Sequence, residues 1–110
     1  MQHAVREEGG SIVVSFEGEM DLDQSPKARE VLLNGVRRKR GVLVDLSGVT
    51  YIDSSGVASL VEAYQLARKN HTSFALVSVN PAALRVLELA RLDKVFKIHE
   101  TLADGLRGED

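Results

Sequence analysis

The sequence predicts an α/β fold, a mixed β-sheet of about five strands with amphipathic helices packed on it. Two strand-like segments flank a Glu-Gly-Gly turn near the N-terminus, which predicts an opening β-hairpin. Segments with strand and helix periodicity then alternate along the chain, and the apolar run VLVDL has the length of a central strand. Hairpin strands pair antiparallel and strands joined through helices pair in parallel, so the hairpin and the β-α units together predict a mixed sheet.

The strands are predicted where β-branched and aromatic residues lie between turn signals. They cover residues 3–6, 11–17, 42–46, 73–79 and 95–98. Residues 47–56 follow the central strand and are expected to form a loop in which Val49, Tyr51 and Ile52 are buried. This loop ends in the polar sequence Asp53-Ser54-Ser55-Gly56, directly before a helix.

The helices are predicted by apolar residues at helical spacing and by capping signals. Ser25-Pro26 and Asn80-Pro81 each combine an N-cap residue with a proline suited to the first helical position. The apolar stripes comprise Ala28, Val31, Leu32, Gly35 and Val36 in the first helix, Val57, Leu60, Val61, Tyr64 and Ala67 in the second, and Leu84, Leu87 and Ala90 in the third. Residues 101–106 are expected to form a last short helix.

Length and composition predict a single domain, residues 1–110, because one hydrophobic core usually serves about 100–150 residues. The net charge of −2 disfavours direct nucleic-acid binding, which normally needs a basic face. Cysteine is absent, which excludes disulfides and thiolate metal sites. The sequence contains neither an apolar run of about 20 residues that could span a membrane nor a hydrophobic leader, so we expect a cytoplasmic protein.

Enzymatic chemistry finds little support in the sequence. The nucleophile elbow requires small residues two places on either side of its serine. Ile52 precedes Ser54 by two places, and Asp53 and Val57 flank Ser55, so neither serine fits. The three histidines, His3, His71 and His99, lie in separate segments without a triad or metal-ligand pattern. Because phosphate-binding glycine motifs are also absent, we expect no catalytic residue, no metal and no cofactor.

The segment from Asp53 to Gly56 permits two interpretations. Aspartate and serine are preferred N-cap residues because their oxygens accept otherwise unpaired N–H groups, so the segment can simply begin a helix. Capping needs only one such residue, however, and leaves at least one hydroxyl of Ser54 and Ser55 for another use. Spacing alone leaves capping and function equally open.

Two charged segments also have structural interpretations. The loop of residues 18–23 carries Asp21 and Asp23, which suit a solvated connection before a helix N-terminus. The basic run of residues 37–40 suits the negative end of a helix better than a nucleic-acid or membrane patch. Right-handed crossovers are expected to place residues 21–23 and 53–56 at the same end of the sheet, where ligands of α/β folds commonly bind.

Three segments together resemble a known family. They are FEGEMD (16–21), VLVDLSGVTYIDSSG (42–56) and RLDKVFKI (91–98), and they resemble STAS domains, which are named for sulphate transporters and anti-sigma factor antagonists. The resemblance covers nearly the whole chain in the right order, and D-S-S-G is its most specific part. It implies a mixed sheet with helices packed on it, in agreement with the element order.

The resemblance to the antagonist type implies a phosphorylation switch at Ser55. In such proteins a partner that is both anti-sigma factor and serine kinase phosphorylates this serine, and a serine phosphatase reverses the reaction. The unphosphorylated antagonist binds the kinase and releases the sigma factor, and it is not itself an enzyme. The expected partner-binding residues are Asp21, Asp23, Asp53, Ser54, Ser55 and Gly56.

The neighbouring acids give the switch a physical basis. Phosphate adds about −1.5 to −2 charges to an already acidic corner, and an unpaired dianion in a desolvated interface weakens binding. We expect Ser54 to cap the helix, the Ser55 hydroxyl to be free, and Asp21 to accept its hydrogen bond. Other STAS domains are constitutive subunits of lipid-transport ABC complexes, tails of anion transporters or parts of stress-sensing assemblies. The ABC subunit and the stress-sensing assembly remain alternatives, and the missing span disfavours the transporter tail.

Overall fold

The β-hairpin and the β-α units form one five-stranded sheet in the order β1-β2-β3-β4-β5. The computed structural model describes residues 1–108, and the last two residues of the expected domain, 109 and 110, lie outside this range. The elements are β1 (Gln2–Glu8), β2 (Ser11–Met20), α1 (Ser25–Val36), β3 (Val42–Ile52), α2 (Ser54–Lys69), β4 (Phe74–Val77), α3 (Pro81–Leu89), a 3₁₀ turn (Leu92–Lys94), β5 (Lys97–His99) and α4 (Leu102–Leu106).

The sheet is mixed, as predicted. Strands β1 and β2 pair antiparallel across the Gly9-Gly10 turn, whose glycines both have positive φ, whereas the pairs β2–β3, β3–β4 and β4–β5 are parallel. The parallel pairs follow from the helical crossovers between their strands. The predicted element order is therefore confirmed, with the 3₁₀ turn as an addition.

The two faces of the sheet are covered unequally. Helices α1, α2 and α3 bury the larger core against one face, where Phe16, Leu46 and Leu76 are at most 1% exposed. Helix α4 covers only a smaller apolar cluster on the other face, in which Leu102 and Leu106 pack on strand residues. These strand residues are Val13, Leu43, Ala75 and Val77. Three helices therefore share one face with their N-terminal ends at the same edge.

Strand β3 is longer than the sequence predicted. Residues 47–52, expected to be a loop, continue the strand and pair with an equally extended β2. The pairing register shifts at two places, and one shift lies beside Gly18, whose φ of 98° favours glycine. Val49 and Ile52 are buried as expected, but Tyr51 is 47% exposed. The prediction that Tyr51 is buried was wrong because this side chain projects from a strand and not from an irregular loop.

Three smaller boundaries also differ. Gln24, not Ser25, is the N-cap of α1, and it makes no side-chain capping bond, while the Ser25 hydroxyl donates to the Leu22 carbonyl at 3.2 Å. Strand β4 is shorter than the predicted 73–79 because Ser78 adopts a positive φ of 51°. Strand β5 begins two residues later than expected because the 3₁₀ turn occupies the preceding residues.

Candidate functional site

The ends of β2 and β3 bring the two polar segments together. Met20 and Ile52 are paired at the last position of these parallel strands, and the Asp53 amide donates to the Met20 carbonyl at 3.3 Å. The chain then enters α2 on one side and the loop before α1 on the other. The prediction that residues 21–23 and 53–56 share one end of the sheet is therefore confirmed. We refer to this corner, residues 21–23 and 53–55, as the switch corner.

Asp53 organises the switch corner through one carboxylate oxygen. Its backbone is extended and it forms the N-cap of α2, where Oδ1 accepts hydrogen bonds from the amides of Ser55 (3.0 Å) and Gly56 (3.2 Å). The Ser55 hydroxyl donates to the same oxygen at 2.5 Å. This hydroxyl bond and, to a lesser extent, backbone bonds from Gly56, Ser55 and Leu22 lower the pKa of Asp53. Asp53 is therefore an anion at neutral pH.

The prediction for the two serines was wrong in its assignment of roles. Ser54 does not cap the helix, because the strand ends at Ile52 and leaves the capping position to Asp53. Ser54 is exposed within the first turn of α2. Ser55 is half-buried and its hydroxyl is bound to Asp53, so this hydroxyl is not free. The expected cap is present, but the phosphoacceptor candidate takes part in it.

Asp21 does not accept a hydrogen bond from Ser55, which corrects a second expectation. Its Oδ1 accepts from the Gln24 amide at 3.1 Å, and its carbonyl accepts from the Ser25 amide at 2.8 Å. Asp21 thus holds the turn that leads into α1. The hydroxyl partner assigned to Asp21 is in fact Asp53, which is nearer in sequence. Asp23, the other acid of this loop, is exposed.

Gly56 allows the start of α2 to approach the strand ends. A Cβ at this position would lie 2.6 Å from the Met20 carbonyl oxygen and 2.9 Å from Cγ1 of Ile52. Such contacts are far inside van der Waals distance, so only glycine fits without movement of the backbone. Gly56 is buried and is therefore a packing residue rather than part of an exposed contact surface.

Two apolar side chains near this corner were missed as site candidates. Leu22, between Asp21 and Asp23, is 71% exposed. Tyr51, the residue before the last one of β3, is 47% exposed. Isolated exposed apolar residues are common on surfaces, but tyrosine is enriched among the residues that dominate protein interfaces, and an exposed leucine offers apolar area that a partner can bury. The signal in the sequence was a leucine between two aspartates in a loop.

Residues 1–108 contain no group of three side chains arranged to hold a metal ion. Over the same range, no helix is both long enough and apolar enough to cross a bilayer. The switch corner offers two hydroxyls, three carboxylates and an exposed leucine. This combination of charged, polar and apolar groups suits recognition by another protein.

Comparison with known proteins gives consistent matches. An anti-sigma F factor antagonist of Paenibacillus polymyxa is 25% identical over 88% of this chain and 85% of that protein. An anti-sigma-F factor antagonist of Mycobacterium tuberculosis is 29% identical over 94% of this chain and 85% of its own length. The crystal structure of an anti-sigma factor antagonist from Mycobacterium paratuberculosis superposes with a TM-score of 0.88 at 31% identity, covering 97% of this chain and 92% of that one.

The family model for the STAS domain matches residues 2–105, which is nearly the whole chain. The observed sheet, with its antiparallel opening pair and its helix-covered face, is also the fold of these antagonist structures. The relatives named above are all anti-sigma factor antagonists. Sequence, fold and relatives agree, and the chain belongs to the STAS domain family, among relatives of the anti-sigma factor antagonist type.

Proposed function

We propose that this protein is an anti-sigma factor antagonist whose binding is switched by phosphorylation of Ser55. In its unphosphorylated form it binds an anti-sigma factor that is also a serine kinase, and the sigma factor is released. A serine phosphatase restores this form. The acting unit is a single domain of residues 1–110, located in the cytoplasm. The names of the relatives support the antagonist role.

The observation that carries the proposal is the position of Ser55. Its hydroxyl lies on the first turn of α2, on a half-buried residue, 2.5 Å from the Asp53 carboxylate oxygen. A kinase that docks on the switch corner thus meets an oriented hydroxyl. In the transfer, Oγ forms a bond to the γ-phosphorus of ATP as the bond to the ADP oxygen breaks. The hydroxyl proton leaves along its hydrogen bond towards Asp53 or towards a base of the kinase.

The same geometry explains why phosphorylation ends binding. The phosphate replaces the hydroxyl proton, so the bond to Asp53 is lost and two anions stand side by side. Asp21 and Asp23 add further negative charge at the corner. A partner surface that excludes water there must then bury an unpaired dianion. A loss of roughly 3 kcal/mol corresponds to binding about a hundredfold weaker.

The proposal is tested by incubating the protein with ATP and an anti-sigma factor of the serine-kinase type from the same organism, followed by mass-spectrometric mapping of the phosphate. Phosphate is expected on Ser55 in the wild type and in Ser54→Ala, and none is expected in Ser55→Ala. Asp53→Asn should slow transfer because the oriented hydroxyl loses its charged acceptor. Asp21→Asn should slow it less, since Asp21 bonds the Gln24 amide.

Two results would contradict the proposal. Phosphate on Ser54 would move the switch to the neighbouring residue. An active kinase that modifies neither serine would instead favour a constitutive interaction module, such as a subunit of a lipid-transport ABC complex. A pull-down with the kinase and with the ATPase of such a complex separates these two roles directly.

A further inference from the structure

A groove between α1 and α2 begins beside Ser55 and runs along both helices. It encloses about 320 Å³, and its lining includes Arg29 from α1 and Ser55, Ser59 and Glu62 from α2. Ser59 and Glu62 follow Ser55 by four and seven positions, so these three residues lie on one face of α2. Ser59 is buried, and its hydroxyl spans the two helices, donating to the carbonyls of Ser55 (3.2 Å) and Ser25 (3.4 Å). The groove thus extends from Ser55 to Glu62, two turns further along α2.

An arginine lies at that point. The Arg29 guanidinium forms two parallel hydrogen bonds to Glu62, from Nε to Oε1 and from Nη2 to Oε2, each 2.7 Å long. The hydrogen bonds and the positive charge of Arg29 lower the pKa of Glu62. In turn, the hydrogen bonds and the negative charge of Glu62 raise the pKa of Arg29. Both side chains are about half exposed, at 53% and 45%. Exposed ion pairs contribute little to stability, so Arg29 can leave Glu62 at small cost.

A phosphate on Ser55 competes with Glu62 for this arginine. Asp53 lies on the N-terminal side of Ser55 and repels a dianion, which favours phosphate conformations directed into the groove. Ser55 and Glu62 are separated by about 10 Å along the helix axis. Side chains of a helix incline towards its N-terminus, so the Glu62 carboxylate that binds the guanidinium is expected to incline towards Ser55. Phosphate carries up to two charges and matches the guanidinium fork, whereas glutamate carries one.

We propose that Arg29 leaves Glu62 and binds the phosphate when Ser55 is phosphorylated. This inference rests on the proposed function, in which Ser55 is the phosphorylated residue. The charged groups around the exchange are Arg29 from α1, Arg37 at the C-cap of α1, Glu62 from α2, Asp53 at the cap of α2, and Asp21 and Asp23 from the loop. Lys27 is paired with Glu30 of α1 and does not line the groove. The charge of Arg37 also lowers the pKa of Glu62.

The exchange extends the switch beyond the modified residue. Loss of the Arg29 bonds leaves the Glu62 carboxylate open at the surface, two turns from Ser55. A partner that rests on the groove then meets a changed charge pattern along α2 in addition to the phosphate. The phosphorylated form is thereby distinguished over a longer surface than one serine provides.

The experiment uses the full chain with phosphoserine installed at position 55 by genetic code expansion, so no kinase is needed. The second ionisation of the phosphate, ordinarily near pH 6, is followed by phosphorus NMR. Arg29→Gln should raise its midpoint by about half a pH unit, because the cation that favours the dianion is removed. Glu62→Gln should lower the midpoint, since Arg29 then has no competitor. The Nε–H resonance of Arg29 should also shift through the same titration.

The matched control is Arg38→Gln, which removes another exposed arginine in an ion pair, here with Glu7 at 2.8 Å. Its midpoint should equal that of the unsubstituted protein. Equal midpoints for Arg29→Gln and Arg38→Gln, with an unmoved Arg29 resonance, would overturn the proposed exchange. That outcome is separate from the kinase assay: absence of kinase-dependent phosphate on Ser55 refutes the proposed function and leaves the installed-phosphate measurement valid.

Discussion

The Ser55 hydroxyl and the Asp53 carboxylate form a 2.5 Å hydrogen bond on the same oxygen that caps α2. The group proposed to receive phosphate is therefore part of the helix cap. Phosphorylation removes a donor from that cap and places a second anion beside the first. The helix N-terminus favours negative charge, but the nearby Asp53 carboxylate repels the phosphate. We therefore expect the first turn of α2, and not only the partner surface, to respond to the modification.

Asp53→Ala should destabilise the fold through loss of the cap. Two backbone amides and the Ser55 hydroxyl lose their acceptor, and replacement of a capping residue by alanine is typically costly. We expect the melting temperature to fall by about 5 °C in a domain of this size. Asp53→Asn retains an equally good capping acceptor and should melt within about 2 °C of the wild type. If Asp53→Asn and Asp53→Ala have the same melting temperature, a neutral capping acceptor does not stabilise the helix and the negative charge of Asp53 is required.

The stabilisation by Asp53 should be lost only in acid. Its hydrogen bonds hold the pKa in the folded state below the ordinary value of about 4 found in the unfolded chain. A carboxyl group whose pKa is lower in the folded state stabilises the fold fully when the pH is above its pKa in the unfolded chain. This stabilisation is lost as the pH falls through its pKa in the folded state. Denaturant unfolding should therefore show a constant difference in the free energy of unfolding between wild type and Asp53→Ala from pH 8 to 5, and a smaller difference below pH 4. A difference that already narrows near pH 6 would contradict the lowered pKa.

The elements with strong local signals were predicted correctly from the sequence. The predictions failed where the structure of a segment depends on its contacts with distant parts of the chain. The alternation of β-branched and helical segments was sufficient for the sheet, its hairpin and its helices. The strand over residues 47–52 was missed because its pairing depends on an irregular register with β2, which no local pattern shows. At the site, capping preference identified the D-S-S-G segment, but aspartate and serine are near-equal caps. Only the end of β3 at Ile52 decides that Asp53 takes the capping position.

Gly56→Ala and Gly35→Ala should change stability in opposite directions. A methyl group at position 56 would lie 2.6 Å from a backbone oxygen, so α2 must shift, at a cost of about 1–3 kcal/mol. At position 35 in α1 the same methyl group would meet Val14 at 3.5 Å and Ile12 at 3.7 Å, which are ordinary contacts. Alanine is also favoured over glycine in a helix by about 0.5–1 kcal/mol. Chemical denaturation measures both, and a stabilised Gly56→Ala protein would disprove the close approach.

Ser55→Asp should fold and yet lose the partner, whereas Ser54→Asp should keep both properties. The first change places a carboxylate beside Asp53 within the switch corner, and the second adds one at an exposed position of the same turn. We expect binding of the anti-sigma factor to weaken about a hundredfold for Ser55→Asp, and less than tenfold for Ser54→Asp. Circular dichroism establishes folding, and calorimetric titration gives the affinities. Equal losses in the two variants would show that general acidity, not the Ser55 position, controls binding.

Leu22→Ala should weaken partner binding without changing stability. The side chain is 71% exposed, so its truncation removes little buried area from the fold, and the free energy of unfolding should stay within about 0.5 kcal/mol. In a complex formed over the switch corner, the same leucine is surrounded by the partner and acts as an apolar anchor between Asp21 and Asp23. Truncation of such an anchor costs more than about 1 kcal/mol, which is more than about fivefold in affinity. The matched control is Leu89→Ala, which removes an 80% exposed leucine at the far end of α3. Calorimetric titration should find the affinity of this control unchanged, and a loss as large as that of Leu22→Ala would remove the interface from the switch corner.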